Sequence, residues 1–243
     1  MLDKAAPEHV RASFRLTDGG LEEDCPWGVV AEEVLGGAAP WRTFRWRKGQ
    51  KHYSGVFWAA TERNHVIYES RLELARLLFA DFDTSVRRIV AQPFLLKAEV
   101  AGAERRHIPD YLLFTAAGPV VVDVKPRHRL ARPKVAFTFT WTKTAVESRG
   151  WQYEVWSEPP KVELENIRFL AGYRRDWLFD QTLLNELRTA SPDGSTLADV
   201  VRSLPQWPKR VVHAHLLHLL WRQDLVTDLS RPLSAHGVLR SAA

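Results

Sequence analysis

The sequence predicts a mixed α/β domain followed by a smaller helical region, and three stretches carry that prediction. Residues 107–126, HIPDYLLFTAAGPVVVDVKP, read as two short apolar strands joined by the Gly-containing turn Thr115-Ala116-Ala117-Gly118. Residues 68–80, YESRLELARLLFA, place Leu72, Ala75, Leu78 and Phe79 on one helical stripe. After Pro159-Pro160 the strand-like runs give way to helical periodicity. Helices alternating with strands, then helices alone, describe an α/β domain with a helical appendage.

In chain order, residues 1–40 read as a loosely structured arm, because Gly19-Gly20, Pro26 and Gly36-Gly37 interrupt any long element. The α/β domain is expected over 41–160 and the helical one over 161–243. The segment 40–55, PWRTFRWRKGQKHYSG, holds Arg42, Arg45, Arg47, Lys48 and Lys51 without an acid and reads as a hairpin turning near Lys48-Gly49-Gln50. Its interleaved bases and aromatics, Trp41 and Trp46 among them, suit contact with DNA phosphate and sugar, the alternative being a solvated charged hairpin. Beyond the helix at 68–80, Asp81-Phe82-Asp83 reads as a turn and 88–96 as a strand. Residues 131–149 alternate like a strand around Phe137–Trp141 yet also recur at helical spacing; their length and the stop at Gly150 favour a buried helix. Residues 151–156 read as another strand. The helical region should contain helices at 162–173, 176–189, 197–204 and 208–225, with the tail TDLSRPLSAHGVL folding as a small hairpin.

Composition bounds the function. The chain has 243 residues, a net charge of +5 and a pI near 9.5, which suits an anionic partner. Cys25 is the only cysteine, so an intrachain disulfide and a cysteine-based zinc site are excluded. The opening MLDKAAPEHVRASFR lacks an apolar run and no stretch reaches about 20 apolar residues, so neither a leader nor a membrane contact is expected. A cytoplasmic, nucleoid-associated setting follows. Most of the ten tryptophans are expected in packing roles. His213, His215 and His218 lack the i, i+4 spacing of a shared metal site and read as packing or surface residues.

The chemistry is concentrated in the hairpin. Alternation along its second strand sends Val120, Val122 and Val124 to the core and Val121, Asp123 and Lys125 to the other face. Asp110 begins the first strand after a proline, so two carboxylates and an ammonium converge. Magnesium takes one or two protein carboxylates and keeps sites for water and phosphate, which suits phosphodiester hydrolysis. The same residues also fit a solvated Asp–Lys pair at a sheet edge and an ordinary Pro-Asp strand start.

These residues, in this order, resemble the TnsA family, the endonuclease subunit of heteromeric cut-and-paste DNA transposases, within the PD-(D/E)xK nuclease superfamily. The resemblance runs from about residue 40 to the end and is carried by Ser70-Arg71-Leu72-Glu73-Leu74-Ala75, Ala91-Gln92-Pro93-Phe94, Pro109-Asp110-Tyr111-Leu112, Val122-Asp123-Val124-Lys125-Pro126 and Glu165-Asn166-Ile167. It implies a restriction-endonuclease-like mixed sheet flanked by helices, then a winged-helix-like domain. It implies catalytic Glu73, Asp110 and Lys125. Asp123 stands where the best-known member has Gln, which moves this chain towards the restriction-enzyme pattern. Glu73, Asp110 and Asp123 would hold Mg2+, with Mn2+ able to substitute. Lys125 would orient water and offset phosphate charge, with Glu69 and Gln92 in support. The implied partners are double-stranded DNA at transposon ends, a TnsB-like DDE transposase and a TnsC-like AAA+ regulator, this chain cutting the 5′ strand. A stand-alone restriction or repair endonuclease and a catalytically silent DNA-binding assembly module are the alternatives.

Overall fold

The computed structural model describes residues 6–42, 53–190 and 193–242. The chain is mixed α/β and divides into two units, one of residues up to Asp81 with Ser85–Glu158, the other of Phe82–Thr84 with the residues from Pro159 onward.

The first unit opens with β1 (Glu8–Arg15), β2 (Leu21–Pro26) and the short α1 (Glu32–Gly36), where a loose arm was expected. This is a correction with a physical reason: the glycines close tight turns between short elements, and hydrophobic anchors between them enter the core. Trp27 is the main anchor. Its indole donates to Ala145 O at 2.7 Å, and its ring packs on Phe94 and Trp151 at 4.8 and 5.3 Å. Arg149 lies over both tryptophans and donates to Trp27 O and Val30 O, fastening the N-terminal elements by charge-assisted bonds.

After a hairpin of β3 (Gly55–Ala59) and β4 (Asn64–Tyr68) comes α2 (Arg71–Phe82), then β5 (Val86–Ala91), β6 (Leu95–Val100) and β7 (Ala103–His107). The single strand expected at 88–96 is two strands in different sheets, and β7, too charged to read as a strand, was missed. Next come β8 (Tyr111–Thr115), β9 (Gly118–Val124), α3 (Arg127–Leu130), α4 (Pro133–Glu147) and β10 (Gln152–Trp156). The 131–149 ambiguity resolves as a helix: Pro133 sits in its first turn, and Gly150 follows its end at φ +78°.

One sheet has the order β2-β1-β6-β7 and the other β10-β9-β8-β5. In the second, β8 and β9 form the antiparallel hairpin, with Thr115 opposite Gly118, and β10 runs parallel to β9. Val121 and Val122 are both fully buried, so the expected split of one core face and one open face is corrected. The Val121 face joins a core with Leu96, Leu112, Trp141 and Trp151. On the other face α2 packs against β10, with Phe79 on Trp156 at 5.7 Å and Arg76 paired with Glu154 at 2.7 Å. Within α2 the buried residues are Ala75, Leu77, Leu78, Ala80 and Asp81, so the turn expected at 81–83 is corrected: Asp81 and Phe82 end the helix.

The second unit contains α5 (Lys161–Leu170), α6 (Gln181–Ala190), α7 (Leu197–Ser203), α8 (Lys209–Trp221), β11 (Leu225–Val226) and β12 (Arg240–Ser241). The tail forms only this minimal ladder and a Thr196–Val238 bridge. Asn166 holds the loop between them: its amide donates to Leu229 O and Arg231 O and accepts from Leu233 N. Thr196 and Asp199 form a capping box on α7 that holds the Asp199 carboxyl at about 2 through the Thr196 hydroxyl first. His215 and His218 are buried in α8, His218 stacked on Phe179 at 4.1 Å, and His213 is exposed. Among the described residues no helix is long and apolar enough to cross a membrane.

Candidate active site

Glu73, Asp110, Asp123 and Lys125 line one cavity of about 650 Å³ at the end of the β8–β9 hairpin. Glu69, Ser70, His107, Arg42, Arg106 and Arg129 line it as well. Tyr111 pairs with Val122, so the residue before β8 and the last residues of β9 meet at one sheet end. The Asp110 amide donates to Val122 O at 3.0 Å, and its carboxylate accepts from the Val124 amide at 2.7 Å. Desolvation pushes the Asp110 carboxyl well above the usual range, and the neighbouring charges of Asp123 and Glu73 push it further. The Val124 amide and Lys125 only partly offset them.

Glu73 enters from the first turn of α2. Its Oε1 accepts from the Ser70 hydroxyl at 2.8 Å and its Oε2 from the Glu69 amide at 2.7 Å, while Ser70 Oγ accepts from the Glu73 amide. This reciprocal cap satisfies helix-end groups and fixes the carboxylate. Burial raises the Glu73 carboxyl despite the two hydrogen bonds.

Asp123 is 2% exposed and is held by two side chains that sequence reasoning did not assign. His107 Nε2 lies 2.7 and 2.9 Å from its two oxygens, and the Tyr153 hydroxyl donates to Oδ2 at 2.5 Å. The Tyr153 hydroxyl is shifted far upward by burial and then by Asp123. β10 pairs Tyr153 with Val121 and Val155 with Asp123, so Tyr153 shares the Asp123 face through a parallel register that the sequence pattern does not encode. His107 stands in the quoted HIPDY run, at the end of a strand that sequence reading missed.

Lys125 follows β9 and is fixed by its backbone, its amide donating to Trp156 O and its carbonyl accepting from Ser157 Oγ. Gln92 has φ +46°, a conformation unfavourable for a residue with a Cβ. Four hydrogen bonds hold it there. Its amide donates to Asp110 O, its carbonyl accepts from the Trp41 amide, Oε1 accepts from the Arg42 amide, and Nε2 donates to Glu69 Oε1 at 2.9 Å. Glu69 and Gln92 thus form a scaffold behind the acids. Arg42 reaches the cavity; Arg45, Arg47, Lys48 and Lys51, with the hairpin expected around them, lie outside the described residues.

Among the described residues, no three His, Cys, Asp or Glu side chains are grouped closely enough to hold a metal ion. The acids share a cavity without forming a three-carboxylate cage. Their chemistry still fits a hard cation. Mg2+ needs one or two carboxylates and retains waters, and Asp110, repelled by two acidic neighbours, is the oxygen donor a cation would relieve most. No family model matches this chain, and no curated protein is significantly similar to it.

Proposed function

We propose that this protein is a Mg2+-dependent DNA endonuclease, the subunit of a heteromeric cut-and-paste transposase that cuts the 5′ strand at transposon ends. One observation carries the reading: three acids and a lysine, drawn from the start of α2 and the open end of the β8–β9 hairpin, line a single cavity with arginines. The hairpin with a parallel strand beside it and helices on both faces supports a restriction-endonuclease-like fold for the first unit. The helices α6, α7 and α8 with the terminal ladder support a winged-helix-like second unit. A TnsB-like transposase, a TnsC-like regulator and a nucleoid location belong to the same proposal.

Asp110, with Glu73 or Asp123, would hold the ion. Bound there, Mg2+ or Mn2+ supplies charge to the scissile phosphate and acidifies its bound water. Lys125 offsets charge developing on the phosphate and orients the attacking water. Gln92 and Glu69 keep the β5 end and the start of α2 in register with Asp110.

The test is cleavage of duplex DNA carrying transposon ends, with and without the partner transposase. Asp110→Ala and Lys125→Ala should each reduce cleavage at least about 100-fold, the usual scale for removing an electrostatic contributor. Undiminished cleavage by either variant sinks the site, and cleavage by the isolated wild type points to the stand-alone nuclease.

A silent DNA-binding module is the second reading, favoured by the hydrogen bonds that occupy both oxygens of Glu73 and of Asp123. Calorimetric Mn2+ binding that disappears in Asp110→Ala excludes it.

A further inference from the structure

The segment after Lys125 carries Arg127, Arg129, Arg132, Lys134 and Lys143 and no acid before Glu147. Two of these cations are engaged: Arg127 donates to Glu158 O, and Lys143 pairs with Glu147. Other cations of the same unit are neutralised too, Lys97 by Asp24, Arg106 by Glu104 and Arg76 by Glu154. Arg129, Arg132 and Lys134 differ. All three are exposed, and their side chains make no hydrogen bond or ion pair among the described residues. Arg129 lines the cavity that holds Asp110 and Lys125, and α3 begins two residues after Lys125.

We infer that Arg129, Arg132 and Lys134 form a surface that grips the phosphate backbone of duplex DNA beside the cavity. The inference rests on the nuclease reading for the placement of that DNA, and it assigns the grip to residues other than the basic 42–51 segment. Charge decides the class of ligand. Three unpaired cations within six residues, with no acid nearby in sequence, meet a polyanion with one charge per about 1.7 Å of axis and release its counterions. The adjoining cavity is itself lined by acids, so a compact free anion gains little by entering it. A backbone that presents phosphates on either side of the cleavage point engages both the acids, through a cation, and the arginines directly.

Each phosphate contact contributes about 0.9 to the slope of log affinity against log salt. Three contacts therefore account for a slope of about 2.7, or roughly 40-fold weaker binding between 50 and 200 mM salt. The test uses the full chain in EDTA, with fluorescence anisotropy on a labelled duplex across that salt range. The combined variant Arg129→Gln/Arg132→Gln/Lys134→Gln should lose about 2 to 3 of the slope and at least tenfold in affinity at low salt. Its thermal melt should match the wild type, because none of the three side chains has a partner among the described residues. Arg132→Lys, which keeps the charge, should keep the slope. An unchanged slope in the triple variant overturns the inference, as does a wild type that binds no duplex DNA or prefers duplex RNA. Cleavage is scored separately in Mg2+. A wild type that binds but does not cut even with the partner transposase present ends the nuclease reading, whereas a cutting enzyme with an indifferent triple variant ends only this assignment.

Discussion

Replacing Asp110 with Asn tests the electrostatics on which the cavity's chemistry depends. Without a cation, desolvation and the charges of Asp123 and Glu73 raise the folded-state pKa of Asp110. The folded chain therefore binds that proton more readily than the unfolded chain. Stability is fully present below the ordinary value of about 3.8 and is lost as pH rises from there through the raised value. At pH 8 Asn removes the repulsion while its carbonyl still accepts from the Val124 amide. A buried ion carries a penalty of several kcal/mol, and replacing a charge-assisted bond by a neutral one returns about 1 kcal/mol. The net expectation is a stabilisation of about 1–3 kcal/mol, or roughly 2–12 °C in Tm for a unit of this size. If Asp110 holds the proposed ion, divalent cation should reverse the order. At 100 times its Kd it stabilises the wild type by about 2.7 kcal/mol, or 5–11 °C, and leaves Asp110→Asn nearly unmoved. The assay is thermal melting followed by tryptophan fluorescence at pH 5 and pH 8, in EDTA and in Mg2+ or Mn2+. An Asn variant less stable than the wild type in EDTA at pH 8, or two proteins responding equally to Mn2+, refutes the reasoning.

Three further outcomes follow from named contacts. Tyr153→Phe removes the 2.5 Å bond to Asp123 but leaves His107 in place, so urea denaturation should show a loss of about 1–2 kcal/mol; a loss below about 0.5 kcal/mol contradicts the importance given to that bond. Gln92→Ala loses the bonds to Glu69 and to the Arg42 amide and keeps the left-handed backbone, so it should cost about 2–3 kcal/mol, with Gln92→Gly about 1 kcal/mol milder. Equal losses remove backbone conformation from the account. Burial depresses the His218 pKa, so the unfolded chain takes up the proton first as pH falls below about 6.5 and the second unit loses stability, by at most about 1.4 kcal/mol per pH unit. Circular dichroism melts at pH 7 and 5.5 should show that dependence in the wild type and a flatter one in His218→Gln.

The parts of the fold legible in the sequence were those whose local signals agree. The β8–β9 hairpin combines apolar strands with a glycine at φ +107°, and α2 carries an apolar stripe of which Ala75 and Leu78 are buried, so both appear near their expected positions. The N-terminal strands were illegible because β2 (LEEDCP) is almost entirely exposed, and its pairing with β1 is fixed by partners far along the chain. β7 (AERRH) failed in the same way: it is held by ladder bonds to β6 rather than by buried side chains. At the site, strand alternation gathered Asp110, Asp123 and Lys125, and Glu73 came only from the family resemblance. His107 and Tyr153 escaped because one ends the unread strand and the other reaches Asp123 across a parallel register, which short-range pattern does not encode.

That gap bears on what each acid can do. Glu73 and Asp123 both have hydrogen-bond donors on each oxygen, so drawing either to a cation means exchanging bonds already made. Asp110 has one backbone donor and two repelling neighbours, and for it a cation adds an interaction and removes a penalty. Cation binding should therefore begin at Asp110, with His107 and Tyr153 deciding how far Asp123 follows. Asn at position 123 could still accept from the Tyr153 hydroxyl. If Asp123 serves mainly to anchor those two residues, Asp123→Asn should weaken Mn2+ binding far less than Asp110→Asn. Equal weakening in calorimetry would make Asp123 a direct ligand that gives up its His107 and Tyr153 contacts when the ion arrives.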